Sequence, residues 1–67
     1  MGRFAYPHYF KIEFFETKDS AKPIQEKKFS VLALNDKGAR TGAENFGNKT
    51  IDSNGWARFK VTAIDSI

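Results

Sequence analysis

Apolar and polar residues alternate in three stretches of this chain, and a period of two is typical of half-buried β-strands. The stretches run from His8 to Glu16, from about Ile24 or Lys27 to Leu34, and from Trp56 to Ala63. The second carries apolar residues on both faces, which indicates a central strand or one sandwiched by another layer. We therefore predict antiparallel strands with a core of Phe10, Ile12, Phe14, Phe29, Val31, Phe59 and Val61.

Two clusters rich in Asn, Asp and Gly follow the second stretch, at Asn35–Gly38 and Asp52–Gly55. Asn and Asp side chains bond to nearby backbone, and Gly accepts a positive φ. The clusters therefore predict two tight turns, each ending in a Gly with positive φ. Between them we predict a loop over 43–48, anchored by Phe46, and a short strand. No segment repeats apolar residues at i, i+3, i+4 and i+7 over enough length, so no helix is predicted.

The length of 67 residues allows one domain, 1–67, with residues 1–7 as an N-terminal arm because Pro7 disfavours helix before it. A core this small is marginally stable, and the chain has no cysteine to form a disulfide. His8 is the only histidine, which excludes a Cys/His zinc site. We therefore expect no metal and no cofactor, and we expect packing and association to supply the stability.

The chain has no apolar run long enough to cross a bilayer. Its first residues also lack the continuous apolar segment of a signal peptide. The sequence therefore predicts a cytoplasmic protein, or one secreted without a signal peptide, that has no membrane partner.

Candidate catalytic groups are few. His8 is the single imidazole, and its place after Pro7 at a strand start favours an exposed position. No serine lies in a nucleophile-elbow sequence. Glu13 and Glu16 cannot share one face of a straight strand because their spacing is odd. We therefore predict that the protein is not an enzyme, and we assign no catalytic residue.

The net charge is +3, and the two signs are interspersed along the chain. A basic β-domain with surface aromatics can bind single-stranded nucleic acid by stacking bases over a charged groove. The residues available for this are Tyr9, Lys11, Trp56, Arg58 and Lys60, provided that they share one sheet face. The signatures of cold-shock and RNA-recognition folds are missing. Nucleic-acid binding is therefore the disfavoured alternative.

Several short motifs occur in the order of a known family. They are Lys22-Pro23-Ile24, Lys28-Phe29-Ser30-Val31, Asp36-Lys37-Gly38, Thr41-Gly42 and the run from Thr50 to Phe59. Over about residues 9–63, with 43–49 as an insertion, the chain resembles transthyretin-like (prealbumin-like) β-sandwich modules. The resemblance implies an incomplete, Ig-like antiparallel sandwich of about four to six strands. Because similar modules are attached to bacterial type VI secretion spikes and effectors, it also implies a docking or delivery role.

These patterns together predict an all-β, non-enzymatic protein-interaction or adaptor module. A structural Ig-like repeat of a surface protein is a further alternative. The partner is another protein or a second copy, and a homodimer is the favoured form because two-fold dimers are the commonest oligomers. Aromatic side chains on polar faces, arginine and apolar residues on both faces of 29–34 indicate a docking surface. The predicted partner-binding residues are Tyr9, Phe15, Leu32, Trp56 and Arg58, with Trp56 on the face of Arg58 and Lys60.

Overall fold

Three strands and one helix make up residues 4–67, the part of the chain that the computed structural model describes. In chain order they are β1 (Tyr6–Phe15), β2 (Gln25–Ala33), α1 (Asp36–Asn54) and β3 (Arg58–Ile64). The sheet is antiparallel and has the strand order β2-β1-β3. Since β1 is central, α1 carries the chain from one edge of the sheet to the other.

The cross-strand register places the predicted core residues on one face of the sheet. Phe10 lies opposite Phe29 and Ala63, and Phe14 lies opposite Phe59. The β1 members of the core, Phe10, Ile12 and Phe14, are buried. The predicted core residues of the two edge strands, Phe29, Val31, Phe59 and Val61, are half-buried. The predicted core face is therefore confirmed, with its centre on β1.

Both ends of α1 are fixed by the clusters that the sequence indicates as turns. Asn35 is the N-cap, and its Oδ1 accepts a hydrogen bond of 2.7 Å from the backbone N–H of Gly38. Gly55 is the C-cap in the left-handed region, with φ 72° and ψ 27°. The carbonyl of Ile51 accepts hydrogen bonds from the N–H groups of Gly55 and Trp56. The same residues that favour turns therefore begin and end a helix.

Small residues form the face of α1 that packs on the sheet. Ala39, Ala43 and Gly47 recur at a spacing of four and are buried. Ala39 and Ala43 pack with Phe10 in the central core cluster. At Gly47 the helix comes so close to the sheet that an added Cβ would lie 2.5 Å from the ring of Phe59. The prediction of no helix is wrong, because such small residues contribute little to a hydrophobic period.

Large aromatic side chains pack between α1 and the sheet. The Phe46 ring centroid lies 5.0 Å from that of Phe29 and 6.5 Å from that of Phe14. Lys27 places its Nζ 5.2 Å from the Phe46 ring centroid. Phe46 is therefore an anchor, as predicted, but on a helix rather than in a loop.

The predicted fold class is confirmed in part. The sheet is antiparallel, but the all-β prediction is wrong because α1 covers one face where a sandwich has a second sheet. Of the two Gly residues predicted to have positive φ, Gly55 has it and Gly38, inside α1, does not. Residues 1–3 of the predicted arm lie outside the described residues, and Tyr6 and Pro7 belong to β1. The transthyretin-like assignment stays a prediction.

Candidate protein-binding surface

The sheet face opposite α1, named here the open face, is not covered by any other helix or strand of residues 4–67. Its members alternate with the core residues along each strand. From β1 they are Pro7, Tyr9, Lys11, Glu13 and Phe15; from β2, Glu26, Lys28, Ser30 and Leu32; from β3, Arg58, Lys60, Thr62 and Ile64. Four of the five predicted partner-binding residues therefore share this face.

Charged residues cross the middle of the open face in two neighbouring rows, which are basic and acidic on β1 and β2, and the acidic row ends in Lys60 on β3. Lys11 lies directly opposite Lys28, and Glu13 lies directly opposite Glu26 on one side and Lys60 on the other. Like charges placed directly opposite are unfavourable, and the neighbouring row of opposite sign offsets that cost along the diagonals. The acidic row also interrupts any continuous basic track that a phosphate backbone would follow.

Arg58 and Phe15 contact each other at the end of the open face that adjoins the β1–β2 connection. The Arg58 guanidinium carbon lies 3.8 Å from the Phe15 ring centroid. The same guanidinium donates from Nε to the Lys18 carbonyl at 3.2 Å and from Nη2 to the Ser20 carbonyl at 3.0 Å. Phe15 is only 6% exposed. These two predicted partner-binding residues are therefore engaged within the fold, where they hold the β1–β2 connection in place.

The other end of the open face is apolar, and we name Pro7, Tyr9, Leu32 and Ile64 the apolar end. Leu32 lies opposite Pro7, and Tyr9 lies opposite Ile64. Leu32 is 71% exposed although it is part of a strand, and Leu34, just beyond the strand, is also exposed. Burial of these exposed apolar side chains against a second surface would be favourable.

The two outer strands leave two edges of the sheet without a strand partner among residues 4–67. β2 is charged in its first half, at Glu26, Lys27 and Lys28, and uncharged from Phe29 to Ala33. β3 carries Arg58 and Lys60. Charged side chains, especially lysine, protect an edge from pairing with another chain. The second part of each outer strand, 29–33 in β2 and 61–64 in β3, therefore lacks this protection, and only the β2 part carries an exposed large apolar side chain, Leu32.

A cavity of about 480 Å³ lies at the end of the sheet where α1 begins. His8 lines it, is buried, and has both ring nitrogens engaged: Nε2 lies 3.1 Å from the Ala33 carbonyl and Nδ1 lies 3.1 Å from Oδ1 of Asp36. The prediction that His8 is exposed is wrong, because the crossover from β2 into α1 brings both partners to it. His8 joins β1, β2 and α1, and we regard it as a structural residue.

Trp56 does not lie with the other predicted partner-binding residues. Its ring centroid is 5.2 Å from that of Phe14, a core residue on the helix side of the sheet. The prediction that Trp56 shares a face with Arg58 and Lys60 is wrong, because β3 begins only at Arg58 and Trp56 follows the helix C-cap. The period-two pattern that places Thr62 on the open face also indicates Ile64, which the sequence-based set omits.

No protein-family model matches this chain, and searches of curated proteins and of solved structures found no match. Within residues 4–67, no cluster of three or more His, Cys, Asp or Glu side chains is arranged to hold a metal ion. The described helix is too polar to span a membrane.

Proposed function

We propose that this chain is a non-enzymatic protein-binding module, and that the uncharged half of β2 with the apolar end of the open face is its binding surface. The observation that carries the proposal is Leu32, which is 71% exposed in the uncharged half of an edge strand. Pairing along an edge supplies main-chain hydrogen bonds, and the exposed side chain supplies apolar burial. The cavity beside His8 supports catalysis less well, because both nitrogens of its imidazole are engaged within the fold.

The partner is a protein or a second copy of the chain. A role as a docking or delivery module attached to a secretion spike is part of the proposal, and it is supported by the resemblance alone. The surface itself supports only the more general statement that a protein strand or apolar side chains bind there.

The test compares two substitutions of exposed apolar residues, Leu32→Lys and Ile24→Lys. Ile24 is 49% exposed but lies just before β2, away from the proposed surface, so Ile24→Lys is the matched control. The readouts are sedimentation equilibrium for self-association and, for any protein captured from the source cells, rebinding after that protein is purified. We expect Leu32→Lys to abolish association and Ile24→Lys to retain it.

Two results would overturn the proposal. One is equal association of the two variants. The other is a monomer at all concentrations together with no purified protein that rebinds. Salt-sensitive binding to a single-stranded oligonucleotide, lost in a Lys11/Lys28/Lys60 triple alanine variant, would favour the nucleic-acid alternative instead. The triple variant leaves Arg58 in place because that side chain holds the β1–β2 connection.

A further inference from the structure

We infer that β2 pairs antiparallel with β2 of a second copy, with Val31 on the two-fold axis, to give one continuous sheet with three strands from each copy. The inference rests on the proposed function and deepens it, because it names the partner, the edge and the register.

The two outer strands differ in the apolar side chains that they expose. Both outer strands are charged in their first part, β2 at Glu26, Lys27 and Lys28 and β3 at Arg58 and Lys60, and both are uncharged in their second part. The exposed apolar side chains therefore decide between the two edges. All three exposed large apolar residues between 20 and 35 lie in or beside β2: Ile24, Leu32 and Leu34. None of the β3 residues is an exposed large hydrophobe. β2 is therefore the edge that would gain more from a second strand.

The helix leaves the same edge accessible. Gly42 lies above Val31, where an added Cβ would be 3.1 Å from Cγ1 of Val31. Gly38 lies above Ala33, where an added Cβ would be 3.8 Å from the Cβ of that residue. Because these two positions of α1 are glycine, the helix places no side chain there that would obstruct an incoming strand.

A two-fold axis perpendicular to a shared sheet restricts the register. Residues that lie opposite each other in an antiparallel pair point to the same face, so the numbers of paired residues must add to an even sum. With Val31 on the axis, Ser30 lies opposite Leu32 of the second copy, and Phe29 lies opposite Ala33. Every residue from 29 to 33 then pairs with an uncharged residue.

Neighbouring registers are less favourable. With Ser30 on the axis, Lys28 lies opposite Leu32 of the second copy and Lys27 lies opposite Ala33. With Phe29 on the axis, Glu26 lies opposite Leu32. With Leu32 on the axis, only residues 31–33 of the strand pair. The register centred on Val31 is therefore the one that pairs the most strand residues without bringing a charge against an apolar side chain.

Five paired residues on each strand form a small interface. Stable complexes bury about 1,200–2,000 Å² in total, and an edge contact of this length lies at the weak end of that scale. We therefore expect a dimer that dissociates on dilution rather than a permanent one.

Single-cysteine variants test the register, because the chain has no cysteine of its own. Opposed residues of an antiparallel pair have Cα atoms about 4.5–5.5 Å apart, which a disulfide can span. Ser30→Cys and Leu32→Cys are prepared separately, since both positions are exposed. We expect a disulfide-linked dimer under mild oxidation when the two variants are mixed, and little when either is oxidised alone. Ser30→Cys mixed with Thr62→Cys, on β3, is the matched control and should stay monomeric on a non-reducing gel.

The other outcomes separate this inference from the proposed function. Cross-linking of Ser30→Cys alone, or of Leu32→Cys alone, would overturn the register, and cross-linking through Thr62→Cys would overturn the choice of edge. A wild-type dimer in sedimentation equilibrium that none of the β2 cysteines captures would overturn the inference but leave the protein-binding proposal standing. A monomeric wild type with a different, purified protein partner would do the same.

Discussion

Gly47→Ala should have two opposing effects on stability, because alanine favours the helical conformation of α1 but disturbs the packing of α1 on the sheet. An added Cβ would lie 2.5 Å from Cε2, 2.6 Å from Cδ2 and 2.8 Å from Cζ of Phe59. Real Cβ atoms are essentially never that close to another heavy atom, so the Phe59 ring or the whole helix must move.

The two effects of Gly47→Ala have comparable size and opposite sign. In a helix interior, alanine is more favourable than glycine by about 0.8–1 kcal/mol. Overpacking a well-filled core costs about 1–3 kcal/mol. We expect the cost of overpacking to exceed the gain in helix propensity, with a net loss of about 1 kcal/mol in the free energy of unfolding. For a domain of this size, such a loss lowers the Tm by about 4–8 °C.

The assay is urea unfolding followed by circular dichroism, applied to Gly47→Ala in two backgrounds. In the wild-type background the variant should be less stable. In a Phe59→Leu background the ring is gone, so the same substitution should become neutral or stabilising by up to about 1 kcal/mol. Asn48→Ala, at an exposed position of α1, is the control that reports the gain in helix propensity without the contact. If Gly47→Ala stabilises the wild-type protein as much as it stabilises the Phe59→Leu protein, the close approach of α1 to β3 does not exist.

The remaining predictions concern the core, the two ends of α1 and the guanidinium group of Arg58, and each is measured by urea unfolding followed by circular dichroism. Phe14→Ala should cost about 3–5 kcal/mol and leave the domain largely unfolded, since Phe14 is almost fully buried; a loss below 1 kcal/mol would contradict the assigned core. Asn35→Ala should cost about 1 kcal/mol and Asn35→Asp much less, because aspartate keeps the capping oxygen. Gly55→Ala should cost about 1 kcal/mol and Gly55→Val more, because φ is positive there; equal effects would argue against the left-handed cap. Arg58→Ala should cost about 1–3 kcal/mol and expose Phe15, whereas Arg58→Lys should keep part of that stability.

The sheet could be predicted from the sequence because strands with one buried face alternate with a period of two. Phe10, Ile12 and Phe14 follow that period and lie at the centre of the core. The helix could not be found in the same way, because its buried face consists of Ala39, Ala43 and Gly47. These small residues allow α1 to lie close to the sheet, but they bury little apolar area. A search for large apolar residues at helical spacing therefore misses them.

The site was predicted less completely, for two physical reasons. Cross-strand pairing decides which residues become neighbours. Leu32 lies opposite Pro7, and Tyr9 lies opposite Ile64, only in the observed register, and the pattern within one strand does not reveal how that strand is aligned with the next. Exposure also depends on contacts from distant segments. Arg58 reaches the carbonyls of Lys18 and Ser20, and this contact removes Phe15 from the available surface.

The central position of β1 has a consequence for how the protein folds during synthesis. Of the three described strands β1 is made first, its second neighbour β3 is made third, and α1 lies between β2 and β3 in the chain. Until Arg58–Ile64 have left the ribosome, one side of β1 has no strand partner and the rings of Phe10 and Phe14 lack the β3 residues that lie opposite them. Contacts between segments so distant in sequence slow folding, because the intervening chain must be ordered first. The nascent chain should therefore remain sensitive to proteases until β3 emerges, and then become resistant in one cooperative step.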